Sequence, residues 1–154
     1  MVAVDVTKHF ADAPATTDKL RTLVRTVCKR FGVSRAVVGI GIVGDAEMRE
    51  LNSKHLNRRE NTDCLSFDLS DGPEPDKPRI IDLVVNGELA MREATRRGHS
   101  GEAELSLYVV HGLLHQLGFD DATAEQARRM HHVEDEILRD FGYGSVYNAA
   151  RRRK

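Results

Sequence analysis

From Leu105 to Leu117 the chain reads LSLYVVHGLLHQL, apolar on almost every side of a helix and interrupted by two imidazoles. A helix with no polar face has no side to give to water, so it belongs at the centre of a molecule, with other elements packed around it. No other stretch restricts the possible folds as much. The chain has 154 residues, and one domain of that size buries about two-thirds of its unfolded surface, enough to enclose one such helix. We expect residues 1–154 to form a single domain, with a flexible tail from about residue 145.

The flanking periodicities supply the surroundings. Val2, Val4 and Val6 alternate with Ala3 and Asp5 as in a strand, and Ala36 to Val43 (AVVGIGIV) reads as a buried one. Between them a helix capped by Thr16 or Thr17 runs to about Arg30, with Gly32 just past its end. Asp45 is expected to cap a helix to about His55. Two more strands follow, Cys64 to Phe67 and Ile81 to Val85, separated by the proline-rich loop SDGPEPDKP. Three helices complete the chain: Gly87 to Arg97, then Gly101 to Leu117 capped by Ser100, then one opened by Thr123 and Gln126 in capping-box spacing. This order predicts an α+β fold, a small mixed four-stranded sheet covered by about five helices, with the histidine-bearing helix buried at its centre.

Positions four apart on a helix differ by about 40° in direction, so His111 and His115 share a face. Buried imidazoles need a partner at each ring nitrogen, and a divalent cation meets that need by taking one nitrogen from each neutral ring. A catalytic zinc site has three protein ligands and one open position. Gly118 lets the chain turn back, and Asp121 then offers the third donor, giving the spacing H-x3-H-x2-G-x2-D. The alternative is that both rings are satisfied core side chains and Asp121 caps the last helix; the glycine and the carboxylate at this spacing favour the metal. Asp120 is expected either to orient a ligand or to share in capping. Gly112 stands where the HExxH pattern of zinc peptidases places its glutamate base. His9, His55, His99, His131 and His132 read as satisfied or solvated side chains.

Composition excludes other classes. Cys28 and Cys64 offer neither a disulfide framework nor a CxxC zinc site. The opening MVAVDVTKHF has no long apolar run, and Ala36 to Gly44 is too short to span a bilayer, so a soluble, cytoplasmic protein with no membrane partner is expected. With 23 basic and 24 acidic side chains the formal net charge is −1. A polyanion would have to be held by local patches, such as Lys19, Arg21, Arg25, Lys29 and Arg30, or Arg92, Arg96 and Arg97, or the terminal Arg151 to Lys154.

These residues also carry a family resemblance. The stretch from about Glu47 to Tyr143 resembles the YbeY family of metal-dependent endoribonucleases, the ribosomal RNA maturation factors of bacteria. That family's signature is close to HGxLHLxGYDH, and this chain has HGLLHQLGFDD. LNSKHLNRRENTDCLSF resembles its LNxxYRxxDxPTDVLSF, and IDLVVNGELAMREA resembles GDIVISxETAxxEA. GHSGEAELSLYVVHG leads into the motif as the family does. There are departures: Asp121 stands for the third histidine, Phe119 for the tyrosine, Asn61 and Asp68 for two prolines, and Leu56 for the family's arginine. Aspartate ligates zinc at about 2.0–2.2 Å, close to the distance for imidazole, so the exchange leaves a ligand in place.

The resemblance implies a single-strand-specific endoribonuclease that uses one divalent ion, with zinc favoured for these donors. His111, His115 and Asp121 would hold the ion; at the phosphate, either Arg58 or Arg59 takes the place of the family's arginine or that contact is missing. It further implies ribosomal RNA precursor as substrate, including the 3′ end of 16S ribosomal RNA, a role in ribosome quality control, and the small ribosomal subunit and its proteins as partners. DNA is not expected. Two alternatives remain open at this point: another zinc hydrolase of the peptidase kind, and a non-catalytic ribosome-assembly factor with a structural metal. With five phenylalanines, three tyrosines and no tryptophan, RNA binding would rest on phosphates and depend on salt.

Overall fold

Three parallel strands and one antiparallel edge strand form the sheet that the apolar runs require. The computed structural model describes residues 1–10, 17–56, 61–70, 77–144 and 146–147. Along the chain lie β1 (Val2–Lys8), α1 (Thr17–Arg30), β2 (Ala36–Val43), α2 (Asp45–Leu56), β3 (Cys64–Asp68), β4 (Arg79–Asn86), α3 (Gly87–Arg97), α4 (Gly101–Gln116) and α5 (Ala124–Asp140). The sheet order is β1-β2-β4-β3, with β3 alone antiparallel to its neighbour. This is the expected α+β arrangement, with a mixed sheet and five helices among the described residues. Most of the proline-rich loop, residues 71–76, lies outside the described residues, as do Arg58, Arg59, Thr16 and residues 148–154. Of the stretch expected to be a flexible tail, Val146 and Tyr147 are described, and both pack on the core.

Alternation along the strands decides which face is covered by what. Val4, Val38 and Ile81 pair across the three parallel strands, and Val6, Ile40 and Leu83 form the next row. Both rows join the main core with side chains from α1, α3, α4 and α5. The opposite face carries a smaller cluster in which Met48 of α2 packs with Val43 and Leu65. One thin sheet thus separates four helices from one. No helix among the described residues is long and apolar enough to cross a membrane.

Helix α4 is buried on every side. Leu105, Val109, Val110, Leu113 and Leu114 are wholly shielded from solvent, and α4 touches α1, α3, α5, β3 and β4. Its ends are fixed by polar groups: Ser100 caps the start by accepting from the Ala103 N–H, and the Arg79 guanidinium donates to the Gln116 carbonyl at the other end. A cation suits that C-terminal end of a helix.

At Gly112 the helix comes so close to the sheet that a side chain has no room. A Cβ built there falls 2.5 Å from Cys64 Sγ and 3.1 Å from Leu83 Cδ2. The open edge of the sheet is also occupied. Arg21 Nε donates to the Val4 carbonyl at 3.3 Å and Arg25 Nε to the Val2 carbonyl at 3.2 Å. Lys19 pairs with Glu102 at 2.9 Å and Arg30 with Glu136. The basic side chains of α1 are therefore largely engaged within the molecule.

The close approach gives a direct expectation. Gly112→Ala should destabilise the chain by about 1–3 kcal/mol through overpacking, although alanine gains about 1 kcal/mol over glycine in a helix. Cys64→Ala in the same chain should recover most of the loss, because it removes the sulfur that the new methyl meets. Urea unfolding of the two single variants and the double variant measures this coupling.

Candidate metal centre

The burial of α4 brings His111 and His115 together with their rings nearly perpendicular, at 86°, and the two Nε2 atoms 3.2 Å apart. The chain then reverses at Gly118, whose φ of +101° suits glycine. Phe119 anchors the turn by packing edge-on against Phe31, with ring centroids 5.4 Å apart. Asp120 Oδ1 accepts the backbone N–H of Asp121 at 2.8 Å, so Asp120 orients the next residue. The cap of α5 is Thr123, with Gln126 completing the capping box. Asp121 Oδ2 then lies 3.8 Å from His111 Nε2 and 3.6 Å from His115 Nε2.

Donors at about 2.0–2.2 Å from a tetrahedral ion stand about 3.3–3.5 Å from one another. The separations of 3.2, 3.6 and 3.8 Å are within a few tenths of an ångström of that requirement. The donor set is two nitrogens and one oxygen, all reachable from one point, so the residues present fit a divalent cation. Asp121 is the most exposed of the three, at 40% of its side chain.

A carboxylate not foreseen from the sequence stands behind the first ring. Glu134 of α5 is wholly buried, and its Oε2 lies 2.6 Å from His111 Nδ1. Its other oxygen lies 2.6 Å from His131 Nδ1. Burial works against ionisation of Glu134, yet the hydrogen bonds and charges of the two imidazoles hold its carboxyl below the usual range. Burial likewise opposes a charged His111, but Glu134, with Asp63 and Asp121, raises its pKa overall. His131 was expected to be merely satisfied or solvated; it is satisfied, by the same carboxylate that orients His111. His132 is 73% exposed and faces elsewhere. His99 meets Glu104 at 2.6 Å in a buried group with Arg97 that ties α3 to α4.

Two cavities of about 340 Å³ each flank His111. One contains the three donors with Ser66, Gly112 and Cys64, and the other contains Glu134, His131, Arg97 and Tyr147. Asn61, Thr62 and Asp63 line both. Cys64 is half-buried, and the surrounding protein together with Asp63 pushes its thiol pKa up. A larger cavity of about 570 Å³ beside Val2, Arg25 and Lys29 contains no cluster of metal donors among the described residues.

The wall at Asn61 is fastened by a polar knot. Asp45 was expected to cap α2, but it is the first helical residue, and its carboxylate accepts from Asn61 Nδ2 at 2.7 Å, Asn86 Nδ2 at 2.9 Å and the Arg92 fork. Asn86, wholly buried, also reaches Asn61 Oδ1 at 3.0 Å and the Thr62 carbonyl at 3.3 Å. The side-chain amide of Asn61 thus fastens the wall through both of its polar atoms. Arg96 and Arg97 pair with Glu93, so α3 too has its cations engaged.

Position 112 also bears on the peptidase alternative. The space beyond Gly112 is filled by Cys64 and Leu83, so a glutamate base has no place there.

Comparisons with known proteins point to one family. A family model described as Endoribonuclease YbeY matches residues 5–142. The protein named endoribonuclease YbeY in Heliobacterium modesticaldum is 34% identical over 115 residues, 68% of this chain and 69% of that one. Its namesake in an Anaeromyxobacter species is 37% identical over 124 residues, 80% of this chain and 64% of that one. In Macrococcus caseolyticus the figures are 36% over 112 residues, 70% and 73%. The solution structure of TM1509 from Thermotoga maritima superposes with a TM-score of 0.62 at 19% identity, covering 99% of this chain and 93% of that one. At that identity it shows a shared fold.

The knot sets a pH dependence. The hydrogen bond from Arg92 holds the Asp45 carboxyl well below the usual carboxylate range; burial opposes this, and Asn86 and Asn61 add to it. A depressed folded pKa stabilises in full above the unfolded value, about 4, and the stabilisation is lost as pH falls below it. Urea midpoints should therefore drop between about pH 4 and pH 2, and Asp45→Asn should give a shallower drop from a lower starting stability.

Proposed function

This chain belongs to the YbeY endoribonuclease family, and we propose that it hydrolyses phosphodiester bonds in single-stranded RNA at one zinc ion held by His111, His115 and Asp121. The observation that supports this most is the convergence of three donors from one short segment, with Nε2 atoms 3.2 Å apart and a carboxylate oxygen within 3.8 Å of both. Two imidazoles and a carboxylate match the donor set of catalytic zinc, which leaves one position open. When bound, the ion supplies Lewis acidity, drawing charge from a phosphoryl oxygen and acidifying water.

The chain's own residues supply the rest. Glu134 fixes the ring of His111. Asn61, Thr62 and Asp63 form the facing wall, and the Asp63 carboxylate takes the proton-accepting part that Gly112 is unable to play. Arg58 or Arg59, just before this wall in sequence, neutralises charge developing on the phosphate. Most cations of α1 and the three arginines of α3 have partners within the molecule, which places more of the phosphate contact on these two arginines. The substrate in this reading is ribosomal RNA precursor in the cytoplasm, including the 3′ end of 16S ribosomal RNA, met in association with the small subunit and its proteins, and the activity serves ribosome maturation and quality control.

Freshly purified protein should contain about one zinc per chain and should cut unstructured RNA. Removal of the metal by a chelator should stop cleavage, and restored zinc should revive it. His115→Ala and Asp121→Ala should each lower cleavage at least about a hundredfold while the chain stays folded by circular dichroism, a loss typical of displaced catalytic groups. Undiminished cutting by Asp121→Ala or by the stripped protein would refute the metal mechanism. A metal whose removal melts a chain that never cuts RNA would favour the structural role.

A further inference from the structure

We propose that His131, clamped by Tyr147, is a positioning residue for His111 and acts through Glu134; its relevance to catalysis rests on the reading of His111 as a metal ligand. His131 and Glu134 are three residues apart on α5 and so share a face. The wholly buried carboxylate has one oxygen 2.6 Å from each of two Nδ1 atoms, His111 on one side and His131 on the other. With one partner, a carboxylate still turns about its terminal bond. With both oxygens engaged by rings on two different helices, its plane is fixed, and the ring that it holds on α4 is fixed with it.

His131 is in turn held from outside. The Tyr147 ring stacks on it with centroids 3.5 Å apart and planes within 8°. The Tyr147 backbone N–H donates to Asp135 Oδ1 at 2.9 Å, which anchors the clamp to the same helix. The rings of His111 and His131 lie nearly parallel, at 13°. The sequence of contacts therefore runs from Tyr147 to His131, Glu134 and His111. A proton on His111 Nδ1, directed at Glu134, leaves the Nε2 lone pair facing His115 and Asp121.

The same three groups lie close enough to suggest a second cation, since their donor atoms fall within 4.8 Å of one another. The contacts favour hydrogen bonds instead. Both carboxylate oxygens already face ring nitrogens at hydrogen-bond distance, and an ion there would require His111 to give up its Nδ1 proton and serve two metals at once.

Long-range proton–nitrogen spectra of the metal-free protein read the protonated nitrogen of His111 directly, and zinc titration against a competing chelator reads the affinity. At alkaline pH, where the ring is neutral, wild type should show His111 as Nδ1–H. His131→Ala should show a mixture and bind zinc roughly tenfold more weakly, the low end of the loss for groups that orient metal ligands. His131→Gln, whose amide still donates to Glu134, should return to within about threefold of wild type. Tyr147→Ala should fall between the two. Leu113→Ala, a core change, should lower the melting temperature without altering the proton position on His111. An unchanged ring and unchanged affinity in His131→Ala would overturn the proposal, as would two zinc ions per wild-type chain with one lost in that variant. Wild type that binds no zinc would refute the metal reading, while the His111 spectrum would still decide the hydrogen-bond relay.

Discussion

Burial of α4 on every side is the constraint from which the rest follows. A helix lined by Leu105, Val109, Val110, Leu113 and Leu114 gains stability only when sheet and helices enclose it together. Two imidazoles are carried inward with it. Each buried ring nitrogen then requires a partner, and the fold provides these unequally. His111 Nδ1 has a carboxylate, whereas the two Nε2 atoms face each other with Asp121 alongside. That unequal provision leaves three donor atoms placed where they could hold a positive ion.

The walls around these donors are tied to the same framework. Gln116 Nε2 bonds to Ser66 Oγ at 3.0 Å, joining the end of α4 to β3. Asn86, at the end of β4, holds the Asn61–Thr62 wall and caps α3 by accepting the Leu89 N–H. Strand ends, helix starts and the lining of the cavity thus share a few buried amides and one carboxylate. Displacement of any of these elements would change the separation between wall and donors, so the geometry at His111 depends on residues from both sides of the sheet.

Much of this was legible in the sequence where patterns are local. The run AVVGIGIV marks β2 to its observed ends, and Gly98 after Arg97 marks the stop of α3. Ser100 and the Thr123–Gln126 pair announce helix starts, because capping is a matter of neighbouring residues. The spacing from His111 to Asp121 pointed to three donors whose convergence depends mainly on one helix and one turn. Glu134 was not legible, for it is one of several acids on α5, and only the docking of α5 on α4 distinguishes it. His131 was passed over for the same reason. Asp45 was misjudged because a local role, capping, was the obvious one, whereas its partners Asn86 and Arg92 come from far along the chain. β4 begins at Arg79, earlier than its apolar run, because pairing with β2 extends the ladder beyond the hydrophobic residues.

The guanidinium groups of Arg21 and Arg25 have an effect beyond the charge of α1. An outermost strand with unused carbonyls invites a strand from another molecule, the starting point of fibrous aggregates. Here the Val2 and Val4 carbonyls already have donors from the same chain. The parallel margin of the sheet is thereby shielded against intermolecular stacking, a protection that a lysine, with its compact and strongly hydrated head, would supply less firmly.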